Sequence, residues 1–353
     1  MMPIMRSMGG WVLLAALTGC PKPGPVPDAE PTAQETRVVT LDGAFPLEGV
    51  LHLPATEDGR PVPGVILVHG SGPISRAASV PGQLNMGFGF TLPVFKQLAN
   101  ALQERGVAVL RYDKRTCGTF NGLCDNAYPT PDIDTLTVQD FIADAVQAST
   151  WLSAQPEVDA TRVMVVGHSQ GGGLMPAILA DAPELAGGIS VAGPWRPIDD
   201  LMAYQLAFSE QLLEETGATN EQIEAALGDL GTIVDQLDAL RAGTHDGAPI
   251  GGSPSTFWQS WIEAGDARPA HVLAETRPLL AIQGDYDWNV PVDPELLGWE
   301  ASGVSTTSVP CVTHALNCIS QPDYLKIGPD DIAAQVSDEL VDALHEFITA
   351  PPG

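Results

Sequence analysis

The sequence predicts an α/β fold: a mainly parallel eight-stranded sheet flanked by helices, with a helical cap insertion. Three observations predict it. Apolar β-rich runs alternate with helix-patterned segments from about residue 36 onward. Several of those runs are continuously apolar, as strands buried on both faces of a parallel sheet must be. One of them leads through Gly167-His168-Ser169-Gln170-Gly171 directly into a helical pattern, which puts a serine at the apex of a strand–turn–helix junction.

The elements follow in chain order. Thr36–Leu41 and Leu47–Leu53 read as edge strands that pair antiparallel. Val65–Val68 is the third strand and ends in His69-Gly70-Ser71-Gly72-Pro73. A helix over Leu92–Arg105, a fourth strand over Val107–Tyr112 and a helix over Val138–Gln155 come next. Arg162–Val166 is the fifth strand, and Gly172–Leu179 carries the helix beyond the serine turn. Gly188–Gly193 is the sixth strand, and residues 195–270 then stand before the seventh. In that insertion Leu201, Tyr204, Leu206, Phe208, Leu212 and Leu213 make one apolar helical stripe. A second helix starts at Thr219, where Thr219-Asn220-Glu221-Gln222 fits a capping box. Leu279–Gln283 and Ser305–Val309 are the seventh and eighth strands, and a helical pattern closes the chain. One domain over residues 37–350 holds all of these, and the 44% hydrophobic content supplies a large core.

The motifs point to nucleophilic catalysis. A nucleophilic serine must stand clear of its backbone, which demands a tight, strained turn with small neighbours; Gly167 and Gly171 provide them for Ser169. Serine is a weak nucleophile until a base, itself oriented by a third group, takes its proton. An acid stands at the end of the seventh strand, in Gly284-Asp285-Tyr286-Asp287-Trp288-Asn289-Val290-Pro291. The spacing G-x-x-D-x-x-V-P favours Asp287, with Asp285 as the alternative. Of the seven histidines, His314 follows the eighth strand-like run. His345 lies in the C-terminal helical pattern, His245 and His271 in the insertion, and His69 beside a glycine turn, and these read as structural or surface residues. Taken singly, each motif could be a Gly-rich turn or a solvated charge. Taken together, Ser169, Asp287 and His314 form a set.

With these motifs the chain resembles the α/β-hydrolase superfamily, and within it bacterial acyl hydrolases and carboxylesterases with an HGSGP turn. The resemblance covers roughly residues 38–350 and rests on His69 to Pro73, Tyr112-Asp113-Lys114-Arg115, Gly167 to Gly172, Gly284 to Pro291 and Val309 to His314. The order Ser…Asp…His is that of this superfamily and differs from the chymotrypsin and subtilisin orders. The resemblance implies Ser169 as nucleophile, His314 as base and Asp287 as its orienting acid. It implies an oxyanion hole from the backbone N–H groups of Ser71 and Gln170. It further implies a serine carboxylesterase acting on a small-molecule ester, with no metal or organic cofactor; peptidase or thioesterase chemistry on the same triad is the alternative. A lipid-anchored binding protein on a dead hydrolase fold is the reading from another class, and the intact set argues against it. By the same resemblance the insertion, residues 195–270, caps the active site; a helical hairpin packed elsewhere is the alternative. Two departures stand out. Thr116-Cys117-Gly118 replaces the usual Gly-x-Gly-x-Ser after the Arg115 motif, and Cys311 and Cys318 flank His314.

The N-terminus reads as an export signal. Arg6 precedes a short apolar run, Trp11–Ala16, too short to span a bilayer. Leu17-Thr18-Gly19-Cys20 then resembles a bacterial lipobox, which implies cleavage after residue 19, lipidation of Cys20 and a membrane anchor; an ordinary secretory signal is the alternative. Residue 21 is Pro rather than Asp, which by similarity to enterobacterial sorting implies the outer membrane. Residues 20–36 are too proline-rich to fold and read as an extended tether. The remaining cysteines fall into two close pairs, Cys117/Cys124 and Cys311/Cys318, which predict two disulfides in an exported protein. Metal binding is the alternative, but no C-x-x-C pair with matching histidine spacing is present. With 44 Asp and Glu against 16 Lys and Arg, the net charge of −28 excludes nucleic acid as a partner, since that needs a basic face. Nothing in the sequence sets the oligomeric state.

Overall fold

The computed structural model describes residues 32–80, 92–118, 124, 131–321 and 326–351. The expected signal, Cys20 and residues 20–31 of the expected tether lie outside the described residues; the end of that segment is not extended tether, since Thr32 bridges to Thr56 and Glu35 and Thr36 begin the first strand. Ten strands form one sheet: β1 Glu35–Leu41, β2 Leu47–Leu53, β3 Val62–Val68, β4 Ala108–Tyr112, β5 Val158–His168, β6 Gly187–Val191, β7 Leu279–Tyr286, β8 Ser305–Thr313, β9 Asn317–Ile319 and β10 Ile332–Val336. Their spatial order is β1-β2-β4-β3-β5-β6-β7-β8-β9-β10. β1 pairs antiparallel with β2, and β2 with β4. From β4 to β8 every pairing is parallel.

The helices are α1 Val94–Glu104, α2 Val138–Ser153, α3 Gln170–Asp181, α4 Ile198–Glu215, α5 Asn220–Arg241, α6 Ser255–Ala274, α7 Leu297–Ala301 and α8 Asp338–Thr349. Both sheet faces are covered, and the side-chain alternation of the inner strands shows it directly. Ile66, Val68, Val163 and Val165 point into one core, with Phe141, Leu152, Leu174 and Ile178 of α2 and α3. Val65, Leu67, Met164 and Val166 point into the other, with Phe95, Leu98 and Leu102 of α1 and Leu340 and Leu344 of α8. Two buried faces explain why these strands read as unbroken apolar runs.

The sheet exceeds the expected eight strands by two. Eight of the ten are the expected strands, and β9 and β10 extend the edge beyond β8 by antiparallel pairing. β9 is only three residues long and β10 buries only its end residues, Ile332 and Val336, so neither shows an apolar run; pairing of β9 with β8 and of β10 with β9 makes them strands. The outer edge of β10 is in turn occupied by a side chain. Gln97 of α1 donates to the Ala334 carbonyl at 3.0 Å and accepts from the Val336 N–H at 2.9 Å.

The insertion divides into two parts. α6 packs against α2 and α3 as part of the layer that covers the sheet. Gly265 permits its close approach, since a Cβ there would sit 2.7 Å from Pro197 Cα. Buried Arg268 on α6 donates to the Gly173 carbonyl at 2.8 Å, to Arg196 at 3.3 Å and to the Trp195 carbonyl. α4 and α5 form a hairpin on α6, and the Thr219–Gln222 capping box opens α5 as expected. Arg241 closes the hairpin through Asp199 and Asp266. The hairpin meets the C-terminal end of the sheet through Gln205, which donates to the Asn289 carbonyl at 2.9 Å.

Candidate active site

Ser169 sits between β5 and α3 with φ 54° and ψ −118°, a left-handed conformation that L side chains rarely adopt. The glycines around it are demanded by contact. A Cβ on Gly167 would lie 2.6 Å from Gly172 N, and one on Gly171 would lie 2.5 Å from the Val68 carbonyl. Two hydrogen bonds hold the turn: Ser169 N–H to the Val191 carbonyl at 2.9 Å and Gly171 N–H to the His69 carbonyl at 3.0 Å. The serine therefore stands where β3, β5 and β6 all end.

The structure brings Ser169, His314 and Asp287 together in one hydrogen-bonded chain. His314 Nε2 lies 3.0 Å from Ser169 Oγ, and its Nδ1 lies 2.7 Å from Asp287 Oδ2. Asp287 is buried. Its Oδ1 accepts from the N–H groups of Asn289 at 3.0 Å and Val290 at 2.9 Å, and its Oδ2 also accepts from Gln283 Nε2 at 2.7 Å. The G-x-x-D-x-x-V spacing thus has a physical reading. Gly284 leaves room for the Val312 backbone beside it, and Val290 supplies an N–H that aims the carboxylate. Asp285 is exposed and makes no contact of this kind with His314.

His314 is carried by the β8–β9 hairpin. The Cys311–Cys318 disulfide closes the hairpin on either side of it, with Cα atoms 4.8 Å apart. Thr313 Oγ1 donates to Asn317 Oδ1 at 2.6 Å, and His168 Nε2 donates to the His314 carbonyl at 2.9 Å. The second bridge, Cys117–Cys124, follows β4, with Cα atoms 5.7 Å apart.

The His69-Gly70 turn lies against Ser169. A Cβ on Gly70 would be 3.1 Å from Ser169 Cβ, so any larger residue there would crowd the serine. Gln170 opens α3, where the first N–H groups have no intrahelical acceptor. A cavity of about 350 Å³ opens onto Ser169, Ser71 and His314, walled by Ile74, Tyr286, Trp288, Ala315, Ile319 and Ile332. A second, apolar cavity of about 160 Å³ lies beyond Gly72, against Leu136, Phe141, Pro254 and Phe257.

Three supporting residues, His168, Gln283 and Lys114, lacked a role in the sequence, and His69 is structural as expected. His168 and Gln283 brace the histidine loop and the acid. Lys114 is buried after β4 and donates to the Gly70 carbonyl at 2.7 Å and to Gln170 Oε1 at 2.8 Å. Burial pulls its ammonium down to about 7, an effect that Asp144 opposes. His69 is stacked on Phe95 at 5.2 Å and edge-on to Tyr112 at 5.0 Å. Burial, and then the Lys114 charge, pull its imidazole down to about 3, so it is a neutral structural residue. The Tyr112–Arg115 motif was the available signal for Lys114, but it carried no role by itself.

The fold and this geometry define a class: an α/β-hydrolase fold that presents a serine–histidine–carboxylate chain at the C-terminal ends of its parallel strands. Residues 65–347 match the alpha/beta hydrolase family, and the chain belongs to that family. It is similar to esterase EstD of Thermotoga maritima, with 30% identity over 327 residues, 89% of this chain and 69% of that protein. Among solved structures it resembles the Pyrococcus furiosus esterase Pf2001, with TM-score 0.53 and 16% identity over 91% of this chain and 92% of the other. It also resembles the alpha/beta hydrolase GrgF from Penicillium sp. sh18, with TM-score 0.51 and 14% identity over 90% and 98% of the two chains. These structural likenesses concern the fold, whereas the esterase relative supports hydrolase activity.

Two predictions follow from this geometry. Asp287→Asn, which breaks the carboxylate–imidazole contact, lowers kcat by about 10³–10⁴-fold in steady-state assays, while Asp285→Asn changes it little. The opposite ranking would move the orienting acid to Asp285. The second concerns pH. Because His69 holds its proton less tightly when folded, its contribution to stability is full above about pH 6.5 and is lost as pH falls below that value. His69→Asn removes that titration. In urea melts the stability advantage of the wild type over His69→Asn should therefore shrink by about 2 kcal/mol between pH 7.5 and pH 5. A pH-independent difference would mean that His69 is not held neutral.

Proposed function

We propose that the protein is a serine carboxylesterase working through an acyl-enzyme on Ser169. The hydrogen-bonded chain from Ser169 Oγ through His314 to buried Asp287 is the observation that carries this reading. Ser169 Oγ attacks the ester carbonyl carbon, and its proton passes to His314 Nε2. Asp287 holds the Nδ1–H tautomer and stabilises the imidazolium. The N–H groups of Ser71 and Gln170 receive the oxyanion of the tetrahedral intermediate. As the intermediate collapses, the C–O bond to the leaving group breaks and the alkoxide takes the proton from His314. Water then attacks the acyl-enzyme with His314 as base, releasing the acid and restoring Ser169. No cofactor enters these steps. The aromatic and aliphatic cavity wall suits a small or medium neutral ester.

Ser169→Ala should abolish both ester hydrolysis and labelling by a fluorophosphonate while leaving the melting temperature close to wild type. More than a few per cent of residual turnover would refute Ser169 as the nucleophile. A panel of p-nitrophenyl esters graded by acyl length, run beside aminoacyl anilides and acyl-CoA thioesters, reads the substrate class. Faster turnover of anilides or thioesters than of any ester would transfer the same mechanism to a peptidase or a thioesterase.

The sequence also supports an exported lipoprotein held by a lipid on Cys20, with the proline-rich segment as tether. Several acyl chains are needed for stable anchoring. Expressed in full length in a bacterium, the wild type should fractionate with membranes and Cys20→Ala should leave them; a soluble wild type would end the anchor reading.

A further inference from the structure

Lys114 is a buried cation with no part in the proton transfers above, yet it points at the serine turn. Its Nζ lies 2.7 Å from the Gly70 carbonyl, 2.8 Å from Gln170 Oε1 and 4.2 Å from the centre of the Phe141 ring. One acceptor is the carbonyl of the Gly70–Ser71 peptide and the other is on the side chain of Gln170. The Gly70 carbonyl is the other half of the peptide whose N–H is that of Ser71, and the Gln170 side chain hangs from the residue that supplies the second N–H. Behind Lys114, Asp144 is buried and paired bidentately with Arg115 at 2.7 and 2.8 Å, which places a compensating anion next to the ammonium.

We propose that Lys114 is a positioning residue for the oxyanion hole, whose ammonium fixes and polarises the Gly70–Ser71 peptide that carries the Ser71 N–H and anchors the side chain of Gln170, the residue that supplies the second N–H. This rests on the acyl-transfer reading above. The physical basis is twofold. A hydrogen bond accepted by a peptide carbonyl from a charged donor draws electron density away from its N–H, which then donates more strongly on the opposite side. The same bond fixes the plane of the peptide, so no reorganisation is needed when negative charge develops on the substrate oxygen. A positive charge behind the Ser71 donor stabilises the oxyanion more than the neutral ester, so it acts on the transition state rather than on ground-state binding.

The test uses the full chain, with wild-type ester hydrolysis and fluorophosphonate labelling as the reference. Lys114→Met keeps the length and removes the charge. It should lower kcat about 10–100-fold, a fraction of the loss of a whole oxyanion donor, with KM within about twofold. Affinity for an alkyl trifluoromethyl ketone, which forms an oxyanion adduct on serine, should fall by the same factor as kcat/KM. Gln170→Leu keeps the backbone N–H but removes one of the two acceptors; it should show a smaller loss of the same kind. The double variant should lose less than the product of the single losses. A folded Lys114→Met with unchanged kcat overturns the proposal, and so does a loss carried by KM with ketone affinity intact. If Lys114→Met does not fold, Gln170→Leu decides, and an unchanged kcat there overturns it. A wild type that neither hydrolyses esters nor takes the label would instead overturn the acyl-transfer reading, and this proposal with it.

Discussion

Most of the site depends on the near contact of three backbones around one strained serine. The turn at Ser169 works only because Gly167, Gly171 and Gly70 have no side chains where β3, α3 and the serine meet. Such a conformation costs on the order of 1–3 kcal/mol, and it persists where the surroundings over-determine it. Here they do. The Val191 and His69 carbonyls hold the turn from two neighbouring strands, and α3 is pinned along its length by cations from elsewhere in the chain. Arg268 takes the Gly173 carbonyl near the start of α3, and Arg277 takes the carbonyls of Leu179, Ala182 and Leu185 at its end. The helix that presents Gln170 is thereby fixed at both ends before any ligand arrives.

The chain has few cations, and among the described residues many of them are held by carboxylates or carbonyls of the fold. Arg115 meets Asp140 and Asp144, Arg241 meets Asp199 and Asp266, Arg196 meets buried Glu295, and Arg268 and Arg277 saturate carbonyls. With 16 Lys and Arg against 44 Asp and Glu, the chain carries a net charge of −28. The resulting field disfavours polyanionic molecules at low ionic strength and is screened within about 10 Å at ordinary salt.

What could be read from the sequence, and what could not, follows from where each residue gets its role. Ser169, Asp287 and His314 each stand just past a buried apolar run, and the end of such a strand is a place that linear pattern marks well. The preference for Asp287 over Asp285 was readable because the turn from Gly284 to Pro291 recruits its own N–H groups. Lys114 was not readable as a buried group. A lysine after a strand looks solvated, and its burial is created by Phe141 and Asp144 on α2 and by Gln170 on α3. β9 and β10 escaped notice for a related reason, since three- and five-residue segments become strands only through their neighbours. Helix α6 was not read as a separate element, and no local pattern says that it packs on α3 instead of standing with α4 and α5.

The added strands change the standing of the histidine loop within the sheet. Had the sheet ended at β8, His314 would lie on a margin with unpaired N–H and carbonyl groups, the region of a fold that frays first and that offers itself to a strand of another molecule. With β9 and β10 outside it, and Gln97 satisfying the Ala334 carbonyl and the Val336 N–H, that margin is sealed by a side chain acting in place of a further strand. Amide exchange at the histidine hairpin is thereby coupled to opening of this whole corner of the domain rather than to fraying of one strand.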